Sequence, residues 1–236
     1  MEKLNIDKKI FIEKHTSFPE QAIYYFYKFF LKKKGVFSRY KFLTDKKWFE
    51  ADVFIASKKI AIEYDGIYWH KDNLEVDKKK RRQLADWGIR VIVIKEDTEN
   101  KIENDIIFYD CYKNTNKNLS WAINKSAELL GWSEVPFDAE AHTKKIFDMF
   151  IKNLYENSFY VMKPKEAREW DYEENGDLKP WDVSVTSAKK VHWKCKRGHK
   201  WVAPVYVRSR GNGCFVCHVQ KRREKYKSDL PGKFWL

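Results

Sequence analysis

Near the C-terminus of this chain, four metal-ligand side chains fall in two close pairs separated by 14 residues: Cys195-Lys196-Arg197-Gly198-His199 and Cys214-Phe215-Val216-Cys217. Three thiols and one imidazole on two tight turns are a ligand set for tetrahedral Zn²⁺. From Pro164 to Leu236 the chain is rich in turn residues, Trp and Lys and poor in aliphatics, so a metal staple supplies what a conventional core cannot. Trp193, Trp201 and Val205 are candidates to cover the metal. The fourth cysteine, Cys111, stands apart. In a chain whose first residues are charged and carry no export signal, this grouping favours a metal over disulfides.

Charge follows the same division. The 236 residues carry a formal net charge of +13. Thr186 to Leu236 holds fourteen Lys and Arg against only Glu224 and Asp229, while the other 185 residues hold 33 basic and 32 acidic side chains. An excess confined to one end is the footprint of a polyanion-binding surface. A solubilising basic tail would have the same charge but little use for the interleaved Trp193, Trp201 and Tyr206. Lys194, Lys196, Arg197 and Lys200 around the first ligand pair, and Arg208 and Arg210 on an expected strand before the second, are the candidate phosphate contacts. No apolar run approaches the length of a membrane span, so the expectation is a soluble, cytoplasmic protein with no membrane association; the basic end makes a polyanion such as double-stranded DNA the expected partner.

The first half of the chain predicts a mixed α/β unit. Ser17 and Glu20 have capping-box spacing, with Pro19 in the first turn, opening a helix that runs to Lys34 and closes at Gly35. Strands are expected over Val36 to Phe42, Trp48 to Ile55 and Lys59 to Asp65. A charged helix over Leu74 to Trp87 stops at Gly88, and Val91 to Ile94 forms a buried strand. Further helices are expected over Leu119 to Leu130 and Ala139 to Tyr155. The domain limits that follow are a catalytic unit over 1–115, a helical linker or extension over 116–160 and a basic zinc module over 161–236.

If the second and third strands form a hairpin turning at Ser57-Lys58, opposed residues sum to 115. Asp52 then faces Glu63 and Glu50 faces Asp65, all on one face, with Phe49, Ala51, Val53, Ile55, Ile60, Ile62 and Tyr64 on the other. Four acids at one place require a cation between them unless some stay protonated, and hard oxygen ligands suit Mg²⁺ or Mn²⁺. The competing expectation is an exposed face whose acids pair with lysines. Gly66-Ile67-Tyr68-Trp69-His70 follows, then Asp77 on the charged helix.

The array Asp52, Glu63-Tyr64-Asp65-Gly66, Trp69-His70, Asp77 and Gly88-Ile89-Arg90-Val91-Ile92-Val93-Ile94 resembles the very-short-patch-repair-type branch of the PD-(D/E)xK nucleases, which includes homing endonucleases with an E-D-x-H-D pattern. The resemblance spans about Ser17 to Glu96. It implies a restriction-endonuclease-like mixed sheet flanked by helices, with Glu20, Asp52, Asp65, His70 and Asp77 as the catalytic positions. Asp52 and Glu63 would hold Mg²⁺ and His70 would move a proton, for hydrolysis of DNA phosphodiesters. Two departures stand out: Glu63 is an acid that the repair branch lacks, and Asp65 occupies the usual lysine position. Glu20 is explained equally by capping. The alternatives left open are an inactive DNA-binding protein on a nuclease scaffold and a nuclease of structured RNA.

The segment Glu169-Trp170-Asp171, Asn175, Pro180, Trp193-Lys194-Cys195, Gly198-His199-Lys200-Trp201, Arg208, Gly213-Cys214 and Cys217 resembles a bacterial zinc-ribbon or treble-clef repeat that often accompanies nuclease domains. Phe215 replaces the usual proline after the third ligand.

Overall fold

The computed structural model describes residues 16–43, 48–67, 74–132 and 136–228, with side chains described outside 74–78 and 226–228. The chain divides into two compact units, Met1–Met149 and Phe150–Leu236. Among the described residues, no helix is long and apolar enough to cross a membrane.

The first unit is a mixed six-stranded sheet between helices. Its elements are α1 (Phe18–Tyr25, continued by a π turn over Phe26–Phe30), β1 (Val36–Leu43), β2 (Trp48–Ile55), β3 (Ile60–Asp65), α2 (Leu74–Asp86), β4 (Arg90–Asp97), β5 (Lys101–Glu103), β6 (Ile106–Asp110), α3 (Thr115–Glu128) and the start of α4 (Thr143–Glu156). Strand order is β1-β2-β3-β4-β6-β5. β1, β2 and β3 form an antiparallel meander, and β3 pairs parallel with β4 and β4 with β6. The parallel step from β3 to β4 is bridged by α2, as a crossover connection requires.

Period-two alternation sorts the sheet's side chains onto two faces. Val53, Ile55, Ile60, Ile62, Ile92, Ile94 and Ile107 pack with Ala22, Ile23, Phe26 and Tyr27 of α1 and Leu119, Ala122 and Ile123 of α3. Phe42, Phe54 and Ala61 pack on the other face with Leu84 of α2 and with Ile89. Phe137, Ala139 and Ile146 also belong to the first core. Much of the stretch expected as a linker over 116–160 is therefore buried in the first unit, and the division falls at Met149.

Several expectations shift in detail. The opening helix has its α-helical hydrogen bonding only to Tyr25 and unwinds after the π turn, short of Lys34, although Gly35 does take φ +65. The short strands β5 and β6 escape the sequence pattern, because Ile106 to Asp110 is a five-residue strand set among Asn, Asp and Glu. The β2–β3 register is the expected one, with Val53 opposite Ile62, Phe54 opposite Ala61 and Ile55 opposite Ile60. The turn is a 3₁₀ turn over Ala56–Lys58 with Lys59 left-handed. Ala51 does not join Val53 and Ile55: it packs with Phe42 and Phe54. The cause is local. Arg39 sits at φ +51, and β1–β2 pairing skips from Ser38↔Val53 to Tyr40↔Ala51, so the alternation breaks at Asp52.

The second unit contains α5 (Phe159–Met162), α6 (Pro164–Ala167), the hairpin β7 (Lys190–Lys194) and β8 (Lys200–Pro204), α7 (Val205–Ser209) and α8 (Phe215–Ser228). Its core is aromatic: Phe159, Trp170 and Trp193 pack with Val183, Val191 and Val205. Trp193 is fully buried and its indole N–H donates to the Ala203 carbonyl at 3.0 Å. Of the interleaved aromatics, Trp193 is thus core and Trp201 is packed at its margin. Asn175 clips onto the edge of β7, its amide accepting from His192 N and donating to His192 O, both at 2.8 Å.

Candidate functional site

In the first unit the acids of the second and third strands come to the C-terminal end of β3, but they do not share one cluster. Glu50 pairs with Arg39 at 2.6 Å and Lys41 at 3.6 Å. Glu63 pairs with Lys80 of α2 at 2.6 Å, and the same ammonium donates to the Glu50 carbonyl. Asp65, buried, pairs with Lys95 of β4 at 2.9 Å. The expected four-acid face is thus resolved mainly into ion pairs. Among the described residues, the acids form no group of three at mutual metal-ligand distance.

Asp52 and Glu63 nevertheless remain neighbours. Beyond Val53↔Ile62 the β2–β3 ladder stops, and the Tyr64 N–H, next in the chain to Glu63, donates to Asp52 Oδ2 at 2.8 Å. Glu20 approaches the same place from α1. Ser17 caps that helix by accepting from Glu20 N at 3.3 Å, and the Ser17 and Thr16 hydroxyls donate to the Glu20 carboxylate at 2.8 and 2.9 Å. Burial pushes the Glu20 carboxyl above its ordinary value, and the nearby Asp52 charge raises it further against the lowering effect of those hydroxyls and Arg39. Glu20 is therefore both part of the cap and a near neighbour of Asp52. His70 lies outside the described residues, and Asp77 is placed on α2 with its side chain outside them.

Other residues, which carry no motif in the sequence, shape this end of the sheet. Lys80 and Lys95 bring cations to Glu63 and Asp65. Glu96 accepts from the Tyr64 hydroxyl, from the Ile67 N–H at 2.9 Å and from the Tyr109 hydroxyl at 3.3 Å. Burial pushes both tyrosines well above the ordinary phenol range, so they stay neutral donors. Glu96 thereby anchors the chain that leaves β3 through Gly66. The spacing of Lys80 on a charged helix could have flagged it; Glu96 and Lys95 depend on the β3–β4 register, which no local pattern reveals.

The second unit brings all four predicted zinc ligands together. Cys195 and His199 flank the β7–β8 turn, where Gly198 takes φ +84 and its N–H donates to the Cys195 carbonyl at 2.8 Å. Cys214 immediately precedes α8 and Cys217 lies in its first turn. His199 Nδ1 lies 3.4 Å from Cys195 Sγ, 3.5 Å from Cys214 Sγ and 3.4 Å from Cys217 Sγ. Cys195 Sγ is 3.7 Å from Cys217 Sγ. Zn–S of about 2.3 Å and Zn–N of about 2.0–2.1 Å at tetrahedral angles give edges of roughly 3.8 and 3.6 Å, so the ligand atoms already describe a zinc polyhedron. Burial acts to raise the Cys195 thiol, but hydrogen bonds from the backbone N–H groups of Arg197 and His199 and from the Cys217 and His199 side chains together bring it down to about 7. Two ligands at the start of α8 also gain from its N-terminal dipole as thiolates. This is a structural zinc site, with Phe215 in place of proline removing no ligand.

The phosphate-contact candidates divide. Arg208 is on α7, not a strand; it is buried and forms a forked pair with Glu169 at 3.1 and 2.6 Å, so it is structural. Lys200 sits among Asp171, Glu173 and Glu174, at 3.5, 3.9 and 2.8 Å, and its charge is locally neutralised. Lys194, Lys196, Arg197 and Arg210 are exposed, Arg197 donating to Gln220 and Arg210 lying over the Tyr206 ring. The α8 surface adds exposed Lys221, Arg222, Arg223 and Lys225, which belong to the basic excess of this end of the chain but to no motif.

No curated protein matches the chain in sequence. Residues 167–220, which enclose all four ligands and the hairpin between them, match a family described as a probable treble clef zinc finger domain.

Proposed function

We propose that this protein is a metal-dependent endonuclease of the PD-(D/E)xK class that hydrolyses DNA phosphodiesters, with the zinc unit as a DNA-binding module. The observation that carries the proposal is the convergence of Asp52, Glu63 and Glu20 at one end of a helix-flanked mixed sheet, with the Lys80 ammonium against Glu63. The donor set fits a hard divalent cation: carboxylate oxygens on adjacent strands, one of them crowded by a like charge. Asp52 and Glu63 would hold Mg²⁺ or Mn²⁺, which when bound polarises a phosphate and acidifies a water.

The protein's own groups have distinct tasks in this reading. Tyr64 N–H fixes one oxygen of Asp52. Lys80 takes the part of the lysine displaced from the Asp65 position, putting a cation where a scissile phosphate would gather negative charge. His70 and Asp77 remain the candidates for moving and orienting a proton. In the second unit, Lys194, Lys196, Arg197, Arg210 and the basic side of α8 would contact phosphates.

A second reading, a DNA-binding protein on an inactive nuclease scaffold, is favoured by one observation: Glu50, Glu63 and Asp65 each have a cation partner of their own. Supercoiled plasmid incubated with the purified chain decides between them. Conversion to nicked or linear DNA in Mg²⁺, abolished by EDTA, supports the nuclease; plasmid bound but uncut supports the scaffold. A structured RNA in the same assay distinguishes the substrate.

A further inference from the structure

A cavity of about 310 Å³ opens at the starts of β3 and β4, five residues along β3 from Asp65 and so roughly 17 Å from that residue. Lys58, Lys59 and Arg90 rim it, and Leu129, Leu130 and Trp132 form its apolar side. Arg90 is held by Asp105 at 3.1 and 2.7 Å and by the Leu129 carbonyl at 3.1 Å, so it shapes the wall without offering a free charge. Lys58 and Lys59 are different. Both are exposed and form no ion pair among the described residues. Lys33 adds a third ammonium, 4.5 Å over the Trp132 ring.

The backbone at this corner is also unusual. Lys59 and Lys32 take φ +53 and +51, the left-handed conformation that Gly or Asn adopts at lower cost. The two turns abut, through Ala56 N–H on the Gly35 carbonyl at 2.9 Å and the Ser57 hydroxyl on the Lys34 carbonyl at 3.2 Å. Lys59 is fixed further by its carbonyl, which accepts from Arg90 N–H at 2.9 Å. Lys59 thus occupies a strained turn position on the cavity rim, with Lys32 in the turn that abuts it, and strain of this kind gathers at ligand sites.

We propose that this cavity binds a single nucleotide unit. Its phosphate would lie at Lys58 and Lys59 with Lys33 close by, and its base against Leu129, Leu130 and Trp132. The chemistry is the pairing of ammonium groups with a phosphate and of an aromatic wall with a base. A volume of about 310 Å³ is at the small end of ligand pockets and admits one nucleotide, not two. The unit could be a free nucleotide or the end of a strand.

The test uses the full chain without added divalent metal, titrated calorimetrically with deoxyadenosine monophosphate, inorganic phosphate and a 5′-phosphorylated single-stranded hexanucleotide. Deoxyadenosine monophosphate should bind, at least tenfold more tightly than inorganic phosphate. Lys58→Glu/Lys59→Glu should weaken it at least tenfold with an unchanged thermal midpoint, while Lys117→Glu, at the exposed start of α3, leaves it unchanged. Tighter binding of the hexanucleotide, weakened by the same double substitution, identifies a strand end as the source; binding no tighter than the monophosphate identifies a free nucleotide. Absence of monophosphate binding, or binding undiminished in the double variant, overturns the site. Equal affinity for inorganic phosphate overturns the role of the apolar wall.

Discussion

Asp52 and Tyr64 are joined where the β2–β3 ladder ends, the Tyr64 N–H donating to Asp52 Oδ2 at 2.8 Å in place of a backbone acceptor. The bond ties a carboxylate on one strand to the residue following Glu63 on the next. It separates two roles that a single substitution can distinguish. Asp52→Asn can still accept from Tyr64 through its amide oxygen, whereas Asp52→Ala cannot. Both should lower Mg²⁺-dependent plasmid cleavage on the order of 100-fold or more, if Asp52 holds the metal. Only Asp52→Ala should also lose stability, by about 1 kcal/mol, from the orphaned N–H. Chemical denaturation beside a cleavage assay reads both, and full cleavage in Asp52→Asn would remove Asp52 from the metal site.

Glu20 supplies a pH signature. Its carboxyl is raised in the folded protein by burial and by Asp52, so the native state holds the proton more tightly than the unfolded chain does. Its contribution favours folding most at low pH, below the unfolded value, and is lost as pH rises through the folded value. Glu20→Gln, a permanent mimic of the protonated form, should therefore have a higher thermal midpoint than the parent at neutral pH. The difference should close in acid. A midpoint lowered equally at both pH values would mean that the carboxylate is needed for the cap and is not strained by its neighbours.

Zinc should be present at about one per chain. Its removal by chelator should cost the hairpin around Trp193 its order, seen as reduced hydrogen-exchange protection over residues 190–204. Cys214→Ser should produce the same reduction without chelator. Protection unchanged after complete zinc removal would show that the aromatic core suffices alone.

Arg208 and Arg210, two residues apart, should behave oppositely. Arg208→Ala strands the partly buried Glu169 and should cost about 2–4 kcal/mol of the second unit's stability. Arg210→Glu should leave stability within about 0.5 kcal/mol, as surface changes do. It should instead weaken DNA binding and flatten the log–log salt dependence by about 0.9 for each phosphate that is no longer neutralised. A salt slope identical to the parent would take Arg210 out of the interface.

What could be read from the sequence was what short-range pattern encodes. Alternation in Trp48 to Ile55 and Ile60 to Asp65 fixed the hairpin register, because a one-residue slip would have turned Val53, Ile55 and Ile62 to the wrong face. The two ligand pairs identified the zinc site because tetrahedral chemistry tolerates few other uses of three cysteines and a histidine so spaced. The partners of the acids were not legible. Lys80 is 17 residues from Glu63 and Lys95 is 30 from Asp65, and each reaches its partner only through the crossover that makes β3 and β4 neighbours. Arg208 looked like its exposed neighbour Arg210 because position on α7, not residue type, decides which guanidinium faces Glu169.

The β7–β8 hairpin runs from Lys190↔Pro204 to Lys194↔Lys200, and Cys195 and His199 are the next residues inward on each strand. The metal therefore clasps the hairpin at the single point that sets its alignment. Sliding one strand by a residue would carry Cys195 out of reach of the other three ligands and turn the Trp193 indole from the core to water. Zinc binding should therefore select the aligned hairpin over its one-residue slips, because only the aligned pairing presents all four ligands to one ion.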